Sequence, residues 1–200
     1  MQALATNKGN GPEMTGSIHL RYLKGIISDL KLKELEDNLA TAGIRFNYED
    51  ISDQPQASLE DLLSPIVLVL SSPVFQAYIL GLMTNATYDL IKKNIISIWW
   101  HLHGKKVTKI TASGDMTQKE ADLDLDICIN EHMRVKFKLR GDIPDSAKEK
   151  AIDSVFSLLR TTHWDKSKPG FIVIYNKDDE AWEIFEDMEF IRKFVKKTPG

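Results

Sequence analysis

No charged residue occurs between Asp61 and Asp89. This gap lies inside a longer apolar run, from Leu62 to Leu102, and it limits what the chain can become. An uncharged stretch of that length reaches what a bilayer crossing needs. Pro65, Pro73, the serine pair at 71–72, Gln76 and Asn85 interrupt it, however, and no basic cluster precedes it. The alternative is a buried strand followed by a buried helix. Ile66-Val67-Leu68-Val69-Leu70 is short, rich in β-branched residues and bounded by Ser-Pro on both sides, as a core strand is. Ser72 and Pro73 suit the cap and first position of a helix. The pattern from Val74 to Leu102 predicts one long helix, stopped by Gly104.

A helical wheel centred on Asp89 places Asn85, Lys92 and Lys93 beside it, with Tyr78, Leu82, Ile96 and Trp100 along the same stripe. Such a helix is polar only in a central belt and must be covered on most sides. Adjacent helical residues point about 100° apart, so Trp99 and Trp100 cannot face one core together. The end of this helix, with Ile96, Trp99, Trp100 and His103, is the candidate contact surface, because aromatic anchors dominate protein interfaces.

The flanking patterns set the fold class. Ile18–Tyr22 and Ile44–Tyr48 alternate as strands, and between them Leu32, Leu35, Leu39 and Ala42 share one helical face. After His103-Gly104-Lys105-Lys106 comes a strand near 107–111, a polar loop over 115–121 and two alternating strands, 123–129 and 133–139. A helix carrying Ala151, Ile152, Val155, Leu158 and Leu159 follows, then a hairpin of 171–175 with 181–185. A last helix from Asp187 presents Phe190, Ile191, Phe194 and Val195. The expectation is an α+β protein. Residues 1–16 are expected to be a flexible tail. A β-α-β lobe with the long central helix covers 17–104, and an antiparallel ββ-α-ββ-α sheet with helices on one face covers 105–200. The two lobes can also form one compact domain.

Ser113-Gly114-Asp115, followed by Asp122-Leu123-Asp124-Leu125-Asp126, resembles the nucleotidyltransferase signature, a Gly/Ser turn ahead of an Asp-x-Asp strand. The resemblance implies that Asp124 and Asp126 hold Mg²⁺ against a nucleotide and that Ser113 and Gly114 touch its phosphates. Alternate strand positions do share a face, and carboxylate oxygens suit that ion. A register argument gives a different account. Pairing Ile129 with Met133 sets Ile127 opposite Val135, Leu125 opposite Phe137 and Leu123 opposite Leu139 on one face. It also sets Asp126 opposite Lys136, Asp124 opposite Lys138 and Asp122 opposite Arg140 on the other. Opposite charges across a ladder stabilise it, and a slip of one residue would invert both faces. This charge ladder is the reading adopted for the strand.

A formal net charge of −3 offers no basic excess for nucleic acid. The single cysteine, Cys128, excludes an intrachain disulfide and fits a reducing, cytoplasmic compartment. The polar start of the chain has no secretory signal pattern. The expectation is therefore a cytoplasmic, non-catalytic protein without a cofactor, acting through a protein partner or as a homo-oligomer. One alternative is a Mg²⁺- and nucleotide-dependent enzyme using Asp124 and Asp126. A second is an effector that inserts residues 62–83 into a membrane.

Overall fold

A computed structural model describes residues 16–52, 66–110, 116–139, 145–165, 167–176 and 181–195. Residues 1–15 of the expected tail, Ser113, Gly114 and Arg140 lie outside these residues, and Gly16, expected to end the tail, begins the first strand.

The chain opens with strand β1 (Gly16–Tyr22), helix α1 (Asp29–Ala40) and strand β2 (Ile44–Asp50). Ser28 caps α1 by accepting the Lys31 amide, and Leu32, Leu35 and Leu39 are its buried stripe. The helix returns the chain so that β2 lies parallel to β1, as a crossover connection requires. The apolar run then resolves into strand β3 (Ile66–Leu70), helix α2 (Ser72–Ile79) and helix α3 (Asn85–His101). The strand is as read from its sequence, but the single long helix is two. Gly81 sits at φ +69°, the left-handed conformation that ends helices. Thr84 then caps α3 by accepting the Thr87 amide at 3.2 Å. The start of α2 is also one residue earlier than expected, with Ser71 at the cap position. Its hydroxyl does not close the helix, because it accepts the Ser17 amide of β1 at 2.9 Å.

Strands β4 (Lys106–Ile110) and β5 (Met116–Glu120) pair with each other as a separate two-stranded ribbon. The polar loop expected over 115–121 is thus largely the second strand of a hairpin. Polar residues suit it because the ribbon is not built into the main sheet: Thr108, Met116, Gln118 and Glu120 are all exposed. Strands β6 (Leu123–Cys128) and β7 (Arg134–Leu139), helix α4 (Asp145–Thr161), strands β8 (Gly170–Asn176) and β9 (Ala181–Glu186), helix α5 (Asp187–Phe190) and a π-helical turn (Ile191–Val195) complete the chain.

The strands from β6 onward do not form a sheet of their own. One seven-stranded mixed sheet runs β2-β1-β3-β6-β7-β8-β9. β3 is its hinge, antiparallel to β1 and parallel to β6. The class remains α+β, but the two C-terminal hairpins meet in parallel, β7 beside β8. The cause is α4, which carries the chain back to the starting end of the sheet before β8 begins.

Residues in register share a face, so the pairing defines two surfaces. On one, Leu20, Leu68, Leu125, Phe137 and Val173 run across five strands and are all essentially without exposure. Helices α1 to α4 contribute Leu35, Phe75, Ile95, Trp99, Ile152 and Val155 to the same core. Each such side chain withdrawn from water contributes about 1.5–3 kcal/mol. The opposite surface carries Asp124, Asp126, Lys136, Lys138, Ile172 and Phe185. Helix α5 packs there, with Phe190 buried against Ile172 and Phe185. The expectation that all helices occupy one face therefore fails for this last one. Ile172 and Phe185 need an apolar cover, and the chain's own C-terminal segment supplies it.

Candidate functional site

The two regions singled out by sequence lie on different elements. The first is the C-terminal end of α3. Ile91, Ile95, Ile98 and Trp99 form its buried stripe, and Leu102 and Gly104, at φ +72°, close it. Trp99 has no exposed surface, whereas Trp100 is 52% exposed. Ile96 is partly buried against the core, and His103 is exposed. Of the four candidate contact residues, Trp99 thus belongs to the interior, because the 100° step between neighbours gives the core one indole and leaves the other outside.

Sequence reasoning missed Lys148. This lysine of α4 is fully buried, with Nζ 5.5 Å from the Trp99 ring centroid and 5.9 Å from that of Trp100. A cation over indole faces adds an electrostatic attraction of about 0.5–2 kcal/mol. It joins α4 to α3 where the exposed indole begins. The helical period of 145–161 shows Lys148 three residues before Ala151, on the apolar side of α4, and that was the available signal.

A second polar group supports the same end. Lys105 Nζ donates to the Ile26 carbonyl and lies 3.1 Å from His101 Nε2. This ties the loop before α1 to the end of α3. Burial, then the charges of Lys105 and Lys31, hold the His101 imidazole below its ordinary value. A neutral ring nitrogen can accept the Lys105 ammonium, so the favoured charge state and the contact agree.

The second region is the acidic row of β6. The β6–β7 register is the one read from sequence: Asp124 pairs with Lys138 and Asp126 with Lys136. Lys138 Nζ is 3.4 Å from both oxygens of Asp124. The row is not, however, a solvated ladder. Asp124 has no exposure and Asp126 only 6%, on a strand flanked by β3 and β7. Asp126 is also not matched by its register partner alone. Arg134 Nε comes within 3.4 Å of Asp126 Oδ1, although the geometry makes no hydrogen bond to that buried oxygen. Arg134 also donates to Cys128 Sγ at 3.5 Å. Burial pushes the Asp126 carboxyl above its ordinary value, against the pull of Arg134 and Lys136 and with the repulsion of Asp124.

Sequence reasoning also missed Asp187, which lies 61 positions beyond Asp126 and carries no motif. The fold brings its charge to bear on both Asp126 and Lys136.

Neither a family model, nor a curated protein, nor a solved structure matches the chain.

The Asp-x-Asp resemblance therefore rests on its own residues. Among the described residues, no group of three or more His, Cys, Asp or Glu is placed to hold a metal ion. The acidic strand has basic neighbours instead, in Lys138 and Arg134. No helix among the described residues is long and apolar enough to cross a membrane. Within the 62–83 run, residues 66–79 are divided between β3 and α2. That division accounts for the run's hydrophobicity without a bilayer.

Proposed function

We propose that this is a non-catalytic contact module, acting in the cytoplasm by association with another protein chain or a second copy of itself through the end of α3. The observation that carries the reading is the exposed Trp100 indole, held on a rigid helix beside the fully buried Trp99. A tryptophan with half its surface in water stabilises the monomer less than a core residue does. On an interface it supplies large contact area at small entropic cost. Ile96 and His103 flank it, and Lys148 and Lys105 brace the elements beneath it. Sedimentation velocity over a wide concentration range tests the self-association arm. The wild type should associate and Trp100→Ala should remain monomeric with unchanged circular dichroism. For a foreign partner, a photoreactive residue at position 100 should give one discrete crosslinked species that is absent with the same probe on exposed Glu34. A wild type that stays monomeric, together with no crosslink specific to position 100, defeats the reading.

A second reading is favoured by one observation, the buried Asp126 oxygen that accepts no hydrogen bond. In that reading Asp124 and Asp126 hold Mg²⁺ for a nucleotide. Lys138 would have to leave Asp124 first. Calorimetric titration with ATP and Mg²⁺ separates the two readings, and absence of heat at millimolar nucleotide removes the second.

A further inference from the structure

Helices α2 and α3 meet in a corner whose outermost side chains are apolar and uncovered. Leu80 is 65% exposed and Leu82 73%, with Gly81 between them at φ +69°. These residues lie past the β3–α2 division that accounts for the earlier part of the apolar run. Met83, Tyr78 and Tyr88 pack against the core behind them, and the two tyrosine rings stack at 5.6 Å. The leucines are therefore held outward on a braced turn.

Two features of this turn point to lipid as what covers it. No Asp, Glu, Lys, Arg or His occurs from residue 62 to residue 88. A protein contact site carries a polar rim, whereas each charge carried into a bilayer opposes entry. The backbone amides of the turn are also already used. Leu80 donates to the Gln76 carbonyl, Gly81 to that of Tyr78, and Leu82 and Met83 both to that of Ala77, at 2.9–3.1 Å. An unpaired amide is strongly disfavoured in hydrocarbon, and residues 80–83 bring none.

We propose that Leu80 and Leu82 form a membrane-surface anchor, a turn that dips between lipid headgroups while both helices stay folded. Its depth is set by Asp89, exposed just over one turn into α3, so only residues 80–83 enter. The packing of α4 adds a cation at that end. Trp99 and Trp100 meet Lys148, whereas Tyr88 meets Asp153 and Phe156, so α4 runs antiparallel to α3. The last turn of α4 thus lies towards the start of α3, where exposed Arg160 can meet a headgroup phosphate. Asp153, nearer the middle, is occupied by Lys92 at 2.7 Å. Trp100 stands at the other end of α3, roughly 22 Å from Asn85 along the helix. The anchor is therefore separate from the Trp100 contact.

Flotation of the full chain with phosphatidylcholine vesicles tests the anchor, beside a second set that also contains phosphatidylserine. Two inserted leucines give a reversible contact, so binding should appear at millimolar lipid in both sets. Leu80→Ser combined with Leu82→Ser should weaken it by roughly tenfold or more, at unchanged circular dichroism. Leu30→Ser, which removes a leucine 82% exposed on α1, and Trp100→Ala should both bind as the wild type does. Leu82→Trp reads the depth: on brominated lipid it should add quenched emission that the wild type lacks. A wild type that does not float at millimolar lipid overturns the proposal. So does a double serine variant that floats as well as the wild type. Flotation that requires phosphatidylserine overturns it too, since basic side chains and not the leucines would then hold the chain.

Discussion

Lys138 Nζ stands 3.4 Å from both carboxylate oxygens of Asp124, an aspartate with no exposed surface. The lysine side chain is itself only 12% exposed. Lys138→Met removes this cation from beside a buried carboxylate and should destabilise the fold by about 3 kcal/mol, by the general cost of breaking one side of a buried ion pair. Lys138→Met combined with Asp124→Leu should recover most of that loss. By contrast, removing exposed Lys33, which is paired with Asp37 at 2.8 Å, should leave the stability essentially unchanged. Urea denaturation of the four proteins checks all three statements. A loss below about 1 kcal/mol for Lys138→Met would mean that other groups hold Asp124 in place.

The two neighbouring tryptophans should separate stability from association. Trp99→Ala removes a fully buried indole and a ring beneath Lys148, and should cost about 3–5 kcal/mol. Trp100→Ala should stay within about 1 kcal/mol of wild type. Guanidinium unfolding followed by circular dichroism gives both numbers. Equal losses would place Trp100 in the structural core and remove the basis for its role as a contact residue.

His101 should make the end of α3 acid-sensitive. Its folded-state value is depressed, so the unfolded chain binds the proton more tightly. The stability it contributes is present above the ordinary imidazole value of 6.5 and is lost as pH falls through and below it. Protonation also sets a cation 3.1 Å from the Lys105 ammonium. Thermal unfolding should show a melting temperature that drops from pH 7 to pH 5, and a shallower drop in His101→Gln. Identical slopes for the two proteins would exclude His101 as the cause.

The parts of this fold that were legible in the sequence are those in which one face is recorded in the side chains. Leu123 to Leu139 carries apolar residues and opposite charges on alternate positions, so a single register satisfied both. Ile66–Leu70 was recognisable from its branched residues and flanking prolines. What the sequence did not record is which strands are neighbours. Nothing in Ile66–Leu70 says that Leu123–Cys128 will lie beside it, since the β3 side chains alternate the same way whatever strand is adjacent. The same blindness hid the burial of Asp124 and Asp126: charges on alternate positions do not say that their strand sits between β3 and β7 or that both carboxylates are withdrawn from water. The break between α2 and α3 was more accessible. Gly81 followed by Thr84 is a stop and a new cap, outweighed in the reading by the uninterrupted apolar character around them.

The position of β3 also has a consequence for how the protein is made. The strand is flanked by β1 on one side and β6 on the other, and β6 leaves the ribosome last of the three. At ~5–20 residues per second, Ile66–Leu70 waits several seconds with its backbone amides and carbonyls open on that side. An apolar strand left bare is a template for the same strand on a neighbouring nascent chain. Yield from crowded polysomes is therefore where the cost of this topology should first become visible.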